Sequence, residues 1–244
     1  MKYFDNMMPI LEKAMKTQEP VLKQAAEMIA DAVAADHLIY VFGSGHAGIL
    51  SEESFYRAGG LVPVCPIFAP GLTCQTRPMP LSSLVERRSG YAEQILDNYN
   101  LEPGSVLIVH SNSGKNAVPI EMADLARKRG LKTIAITNAE QCRQAASRHP
   151  QGLKLVDAVD LVIDNCGVFG DACVKFDEIG EVAGATSTVV GAALLNAVWV
   201  EAVQILIDRG VNPPIFRSTN VDVNNAADAN QKLMDHYGRR LLYL

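Results

Sequence analysis

The residues best suited to do chemistry lie in three short turns. Ser111-Asn112-Ser113-Gly114-Lys115-Asn116 follows an apolar run at 105–110 and precedes a helical pattern opened by Ala117 and Pro119. Gly43-Ser44-Gly45-His46-Ala47-Gly48 follows a second apolar run, 37–42. Thr137-Asn138 closes a third, 132–137. A helix start exposes free N–H groups and the positive end of the helix dipole. Two hydroxyls and a glycine beside such a start make a receptor for a tetrahedral anion, with a phosphate ester the natural ligand. Ser and Asn are also the usual helix caps, so 111–116 taken alone supports an ordinary capped turn equally well.

The glycine turn matches the letters of a dinucleotide fingerprint, G-x-G-x-x-G. A nucleotide site would also need an Asp or Glu about 20 residues on, to bind the ribose. Residues 62–70 contain no acid. The turn is therefore expected to bind a simple anion or to be a plain tight turn, and no nicotinamide cofactor is expected. Cys65, Cys74, Cys142, Cys166 and Cys173 are odd in number and include no C-x-x-C pair. That pattern predicts free thiols in a reducing, cytoplasmic compartment. Cys142, His149, Cys166 and Cys173 lack the fixed local spacing of a metal site, so no metal is expected. The first residues, Met1-Lys-Tyr-Phe-Asp-Asn, show no signal-peptide apolar region.

The turns must be carried by something. The apolar runs alternate with helical patterns, which predicts a parallel sheet covered by helices on both faces. In such sheets ligands bind outside the carboxyl ends of the strands, where all three turns fall. Residues 1–36 read as two helices broken at Pro20, each with its own apolar stripe. A helix is expected after the glycine turn to about Ala58, an irregular or edge strand over 61–68, and a long polar helix over 82–100. A helix to about Arg129 follows the Ser-rich turn. Then come a short helix near 141–147, a short strand at 160–164, a loop at 167–175 and a long helix from Ser187 to Arg209. The tail holds an extended Ile215-Phe216, an Asn/Asp-rich turn and a last helix near 226–236. With 244 residues and no repeat or linker, a single domain is expected: a helical pair at 1–36, an α/β core at 37–210, and a tail and helix at 211–244. The net charge of -5 supplies no basic field, so no nucleic-acid partner is expected. The charge-free stretch 182–200 approaches a membrane span in length. It contains Gly184, Thr186, Ser187, Thr188 and Asn196 and runs into Glu201, so it reads as a buried helix, with no membrane insertion expected.

A strand into Gly43-Ser44-Gly45, a later strand into Ser111-Asn-Ser113-Gly114, a third into Thr137-Asn138, and a long apolar helix opened by Thr186-Ser187-Thr188 together resemble the sugar isomerase (SIS) domain. Over most of its length the chain is similar to an uncharacterised bacterial group within it, the UPF0309 proteins. The resemblance implies a three-layer α-β-α sandwich, flavodoxin-like, with a parallel five-stranded sheet and helical additions at both ends. It implies a phosphorylated sugar as ligand. Ser111 and Ser113 would hold the phosphate, Ser44 would contribute, and Gly43, Gly45, Asn112, Asn116, Thr186, Ser187 and Thr188 would complete the binding set. It also implies a homodimer or homotetramer whose neighbouring helices often complete the site. Lys115 departs from the small, polar or acidic residues common at that position, and is either a phosphate partner or a solvated side chain.

Aldose–ketose isomerisation moves a proton between adjacent carbons and needs a base near the sugar. Glu181, five residues before Thr186 and near the family's ligand loop, is the first choice, followed by His46 and Glu86. Glu52 and Glu53 read as a solvated helix face, and His110 as a buried, satisfied histidine. Two functions remain open. One is an isomerase or lyase acting on a phosphorylated sugar or amino sugar, which is the expected reading. The other is a non-catalytic phosphosugar sensor.

Overall fold

The structure, a computed structural model, describes residues 1–221 and 225–244. The Asn/Asp-rich turn expected in the tail falls partly on 222–224, outside the described residues. The strands are β1 (Ile39–Gly43), β2 (Val64–Ile67), β3 (Val106–His110), β4 (Lys132–Thr137), β5 (Leu161–Asp164), β6 (Ala172–Phe176) and β7 (Glu181–Ala185). The helices are α1 (Lys2–Ala34), α2 (Ile49–Ser54), α3 (Pro80–Val85), α4 (Tyr91–Leu96), α5 (Ala117–Lys128), α6 (Ala139–Gln144), α7 (Leu155–Ala158), α8 (Ser187–Asp208) and α9 (Ala226–Tyr237), with a 3₁₀ turn at Gly45–Gly48.

Five strands form one parallel sheet in the order β2-β1-β3-β4-β5. The apolar runs of β1 to β4 are buried on both faces, and alternate side chains feed two cores. Tyr40, Phe42, Leu107 and Val109 pack with α4 and α5. Ile39, Val41, Val106 and Ile108 pack with α1 and α8. This is the expected three-layer α-β-α sandwich. Pro66 lies in β2, an edge strand, where a missing N–H costs no ladder bond on the open side.

Four local expectations are corrected. The N-terminal helical pair is one helix, α1, which runs straight through Pro9 and Pro20. An interior proline costs a helix about 3 kcal/mol. Here the two apolar stripes share one phase, and Ala14, Leu22, Ala25, Ala26 and Ile29 are buried against the sheet and α8. Burial of that face outweighs the lost hydrogen bond. The helix after the glycine turn stops at Ser54, because Phe55 is extended and Tyr56 has a positive φ of 45°. The long helix expected at 82–100 is two short ones, split where Gly90 takes φ 84° and donates its N–H to Glu121 Oε2 at 2.8 Å. The loop expected at 167–175 includes β6, which pairs antiparallel with β7 in a separate hairpin. By length and composition α8 is apolar enough to cross a membrane, and in this structure it packs beside α1 on one face of the sheet.

Candidate functional site

The strand order reverses between β1 and β3: from β1 the chain goes outward to β2, then returns to the other side of β1 for β3. A reversal of this kind opens a crevice at the carboxyl ends of the two strands. Gly43 and His110 are register partners, so the glycine turn and the Ser-rich turn leave the sheet side by side. Two glycines let these turns close. A Cβ on Gly43 would stand 2.4 Å from the Ala47 carbonyl carbon and 2.7 Å from the Gly48 nitrogen. Gly114 has φ +55°, and a Cβ there would stand 2.4 Å from Cys142 Sγ.

The turn before α5 is not an ordinary cap. Asn116 occupies the N-cap position with extended φ/ψ, yet its side chain makes no capping bond. The sequence explains this. A capping oxygen accepts from the second or third N–H of the helix. The third residue is Pro119, which has none, and the second, Val118, donates to the Glu86 carbonyl at 3.0 Å. Among the described residues, the N–H groups of Ser113, Gly114, Lys115 and Asn116 have no protein acceptor, and the Ser111 and Ser113 hydroxyls have no protein partner. Four free amides and two free hydroxyls thus lie within six consecutive residues at the positive end of a 12-residue helix.

Glu86 joins the two turns. Ser44 Oγ donates to its Oε2 at 2.5 Å and Asn116 Nδ2 to its Oε1 at 2.6 Å. Arg148, whose backbone N–H binds the Lys115 carbonyl at 2.8 Å, donates from its guanidinium to Asn116 Oδ1, also at 2.8 Å. The half-buried carboxylate therefore ties the glycine turn to the N-cap of α5. Behind it, Asn112 is spent on scaffolding: its Oδ1 accepts from Asn165 Nδ2 at 2.9 Å, and its carbonyl accepts from Asn138 N at 3.1 Å. Thr137 Oγ1 donates to the Ser111 carbonyl at 2.7 Å, which fixes the start of the turn.

His110 lies fully buried beneath the two turns, with Nδ1 3.0 Å from the Ala47 carbonyl and Nε2 unpartnered. Burial pushes its pKa below the usual imidazole range, although the Ala47 contact opposes this. The ring is therefore neutral at pH 7, and Nδ1–H is the donor to Ala47.

Of the three candidate bases, Glu86 is the one placed in contact with the binding turns. His46 stands exposed in the glycine turn, and its side chain makes no hydrogen bond among the described residues. Glu181 is exposed at the hairpin end of β7, separated from Thr186 by roughly 16 Å of extended chain. The hydroxyls expected at α8 are already engaged. Asp171 accepts from Thr186 N at 2.9 Å and Oγ1 at 3.0 Å, and from Ser187 N at 2.7 Å and Oγ at 2.8 Å. Burial alone would raise the Asp171 pKa; the bonds from Ser187 and Thr186 outweigh it and hold the carboxyl below its usual range. Thr188, the next residue along α8, is half-buried. Sequence reasoning missed Asp171, Arg148 and Asn165, none of which has a local spacing that marks it. No cluster of three or more metal-ligating side chains occurs among the described residues.

Comparison with known proteins gives a consistent result. A model of the SIS domain matches residues 2–138. The UPF0309 protein of Halalkalibacterium halodurans is 41% identical, with 98% of this chain and 94% of the relative covered. That of Oceanobacillus iheyensis is 37% identical, with 100% and 98% covered. Among solved structures, a phosphoheptose isomerase from Francisella tularensis has a TM-score of 0.54 at 14% identity, over 83% of this chain and 95% of that one. A ligand complex of an Escherichia coli CFT073 protein has a TM-score of 0.50 at 15% identity, over 84% and 87%. At these identities the structural likeness is one of fold.

Proposed function

The chain belongs to the SIS domain family and, within it, to the UPF0309 proteins, and from that premise we propose that it binds a phosphorylated sugar and isomerises it. The observation that carries this is the open end of α5: free amides from Ser113 to Asn116, with the Ser111 and Ser113 hydroxyls unspent, beside a clamped carboxylate. The phosphate ester sits on those amides and hydroxyls. Ser44 borders the same crevice. Glu86 is the general base that takes the proton from the carbon beside the carbonyl and returns it to the neighbouring carbon through an enediol. Backbone amides at the helix end stabilise charge without reorganising. The ligand class is supported by the solved protein of like fold from Francisella tularensis, which is a phosphoheptose isomerase.

A homodimer in the cytoplasm is part of the same proposal. It is supported by the exposed Val200 and Ile207 on α8 and by a groove of about 540 Å³ lined by Leu11, Met15, Leu22 and Leu194. The test is a panel of sugar phosphates and their unphosphorylated counterparts. Thermal shift reads binding, and deuterium uptake from D₂O into the sugar reads proton abstraction. Binding confined to the esters, with uptake abolished by Glu86→Gln, supports the proposal. Binding without uptake would leave a phosphosugar sensor. Equal behaviour of esters and free sugars would overturn the phosphate receptor.

A further inference from the structure

Arg148 lies outside every motif in the sequence, on the segment that follows α6. Arginines elsewhere whose guanidinium is fixed by a side chain pair with carboxylates: Arg57 with Glu53, Arg129 with Asp97, Arg209 with Glu27 and Asp31, Arg240 with Asp36. Arg148 is held by a neutral amide, that of Asn116. An arginine spent on an amide loses the Coulomb gain of an ion pair, so the contact calls for another explanation.

The explanation lies in what an amide can do at that spot. Guanidinium has donors and no acceptor, and an ionised carboxylate has acceptors and no donor. With Arg148 on one end of the Asn116 amide and Glu86 on the other, a single orientation satisfies both: Oδ1 to Arg148, Nδ2 to Glu86. The amide has no competing use, since Pro119 and the engaged Val118 N–H leave it nothing to cap. Asn116 is buried, which shields the amide from water. Arg148 is exposed, and its own main chain is fixed by the bond to the Lys115 carbonyl. The result is a four-residue relay, Arg148 to Asn116 to Glu86, met from the other side by Ser44.

We propose that Arg148 is a positioning residue of this site: it locks the Asn116 amide and thereby aims the Glu86 carboxylate, without itself touching the sugar. This rests on the reading of Glu86 as the base. It also has a direct consequence that does not. In protein labelled with ¹⁵N-asparagine, the Asn116 side-chain amide, assigned by its loss in Asn116→Ala, should move and exchange faster in Arg148→Ala. It should return most of the way in Arg148→Lys, which restores a donor. Melting temperature should change little, because Arg148 is exposed.

On the reaction side, deuterium uptake into a sugar phosphate should fall about tenfold in Arg148→Ala, the effect of one weakened hydrogen bond at the reacting carboxylate. Affinity for that sugar phosphate should stay within about twofold. The double variant Arg148→Ala/Asn116→Ala should be no slower than Asn116→Ala alone, because Arg148 acts through Asn116. An unmoved Asn116 amide in Arg148→Ala would overturn the relay. So would losses that multiply in the double variant, which would mean that Arg148 acts on its own. If the wild-type protein labels none of the sugar phosphates with deuterium, the isomerase reading fails, and the amide signature still decides the relay.

Discussion

Replacing Gly114 by alanine tests whether the anion-binding turn has the geometry described. The residue sits at φ +55°, where an L side chain costs roughly 1–2 kcal/mol. A Cβ would also stand 2.4 Å from Cys142 Sγ, 3.1 Å from Leu155 Cβ and 3.2 Å from Cys142 Cβ. Cys142 and Leu155 are fully buried, so neither can swing into solvent. Overpacking of this kind costs typically about 1–3 kcal/mol. The sum is roughly 2–5 kcal/mol, or a fall of about 4–20 °C in melting temperature for a chain of this size. Part of the cost is removable. In a Cys142→Ala background the sulfur clash is gone, and the same substitution should cost less: the backbone share of roughly 1–2 kcal/mol plus what the two remaining Cβ contacts impose. Denaturant unfolding of the four members of the cycle reads this directly. Because the free amides of 113–116 depend on this turn, Gly114→Ala should also erase the melting shift produced by a sugar phosphate. A Gly114→Ala protein as stable as wild type, or a cost unchanged in the Cys142→Ala background, would show that the turn is not packed as described.

Three further outcomes follow from the site. Ser113→Asp should abolish ligand-induced stabilisation while the protein still folds, because it sets a carboxylate against the ester; Ser113→Ala should weaken binding by roughly 1.5–3 kcal/mol, read by calorimetry. Asp171→Asn should destabilise the protein at pH 7. The folded pKa of Asp171 is depressed, so its contribution is present above the unfolded value of 3.8 and is lost as pH falls below that, through the folded pKa; urea melts of wild type and variant should converge there. Light scattering should show at least a dimer at micromolar concentration, and a clean monomer would remove the oligomer from the proposal.

How much of this was legible beforehand follows the range of the forces involved. The five strands and α5 and α8 could be read because their periodicity is local and their burial continuous. The helix break at Gly90 could not, because a residue 31 positions away, Glu121, receives its N–H. Nor could the continuity of α1 through Pro20, which depends on burial against α8, far along the chain. The site divides in the same way. Ser111, Ser113 and Ser44 were visible because hydroxyls beside a strand end and a helix start form a local pattern.

Which candidate base meets the binding turns is not a local matter. Glu181 looked favourable by its nearness to Thr186 along the chain, yet the intervening strand carries it outward to the exposed end of a hairpin. Glu86, named with His46 after Glu181, stands in a polar stretch after a Pro-rich loop. Its position is fixed by Ser44, 42 residues earlier, and Asn116, 30 residues later. The one local clue was Pro119. An asparagine at an N-cap three residues before a proline cannot be serving the third N–H of its helix. The second N–H, on Val118, is excluded only by its bond to the Glu86 carbonyl, which the fold supplies. Together the two exclusions turn the capped-turn reading of 111–116, which the sequence left open, into a search for an acid able to accept from Asn116, and that acid is Glu86.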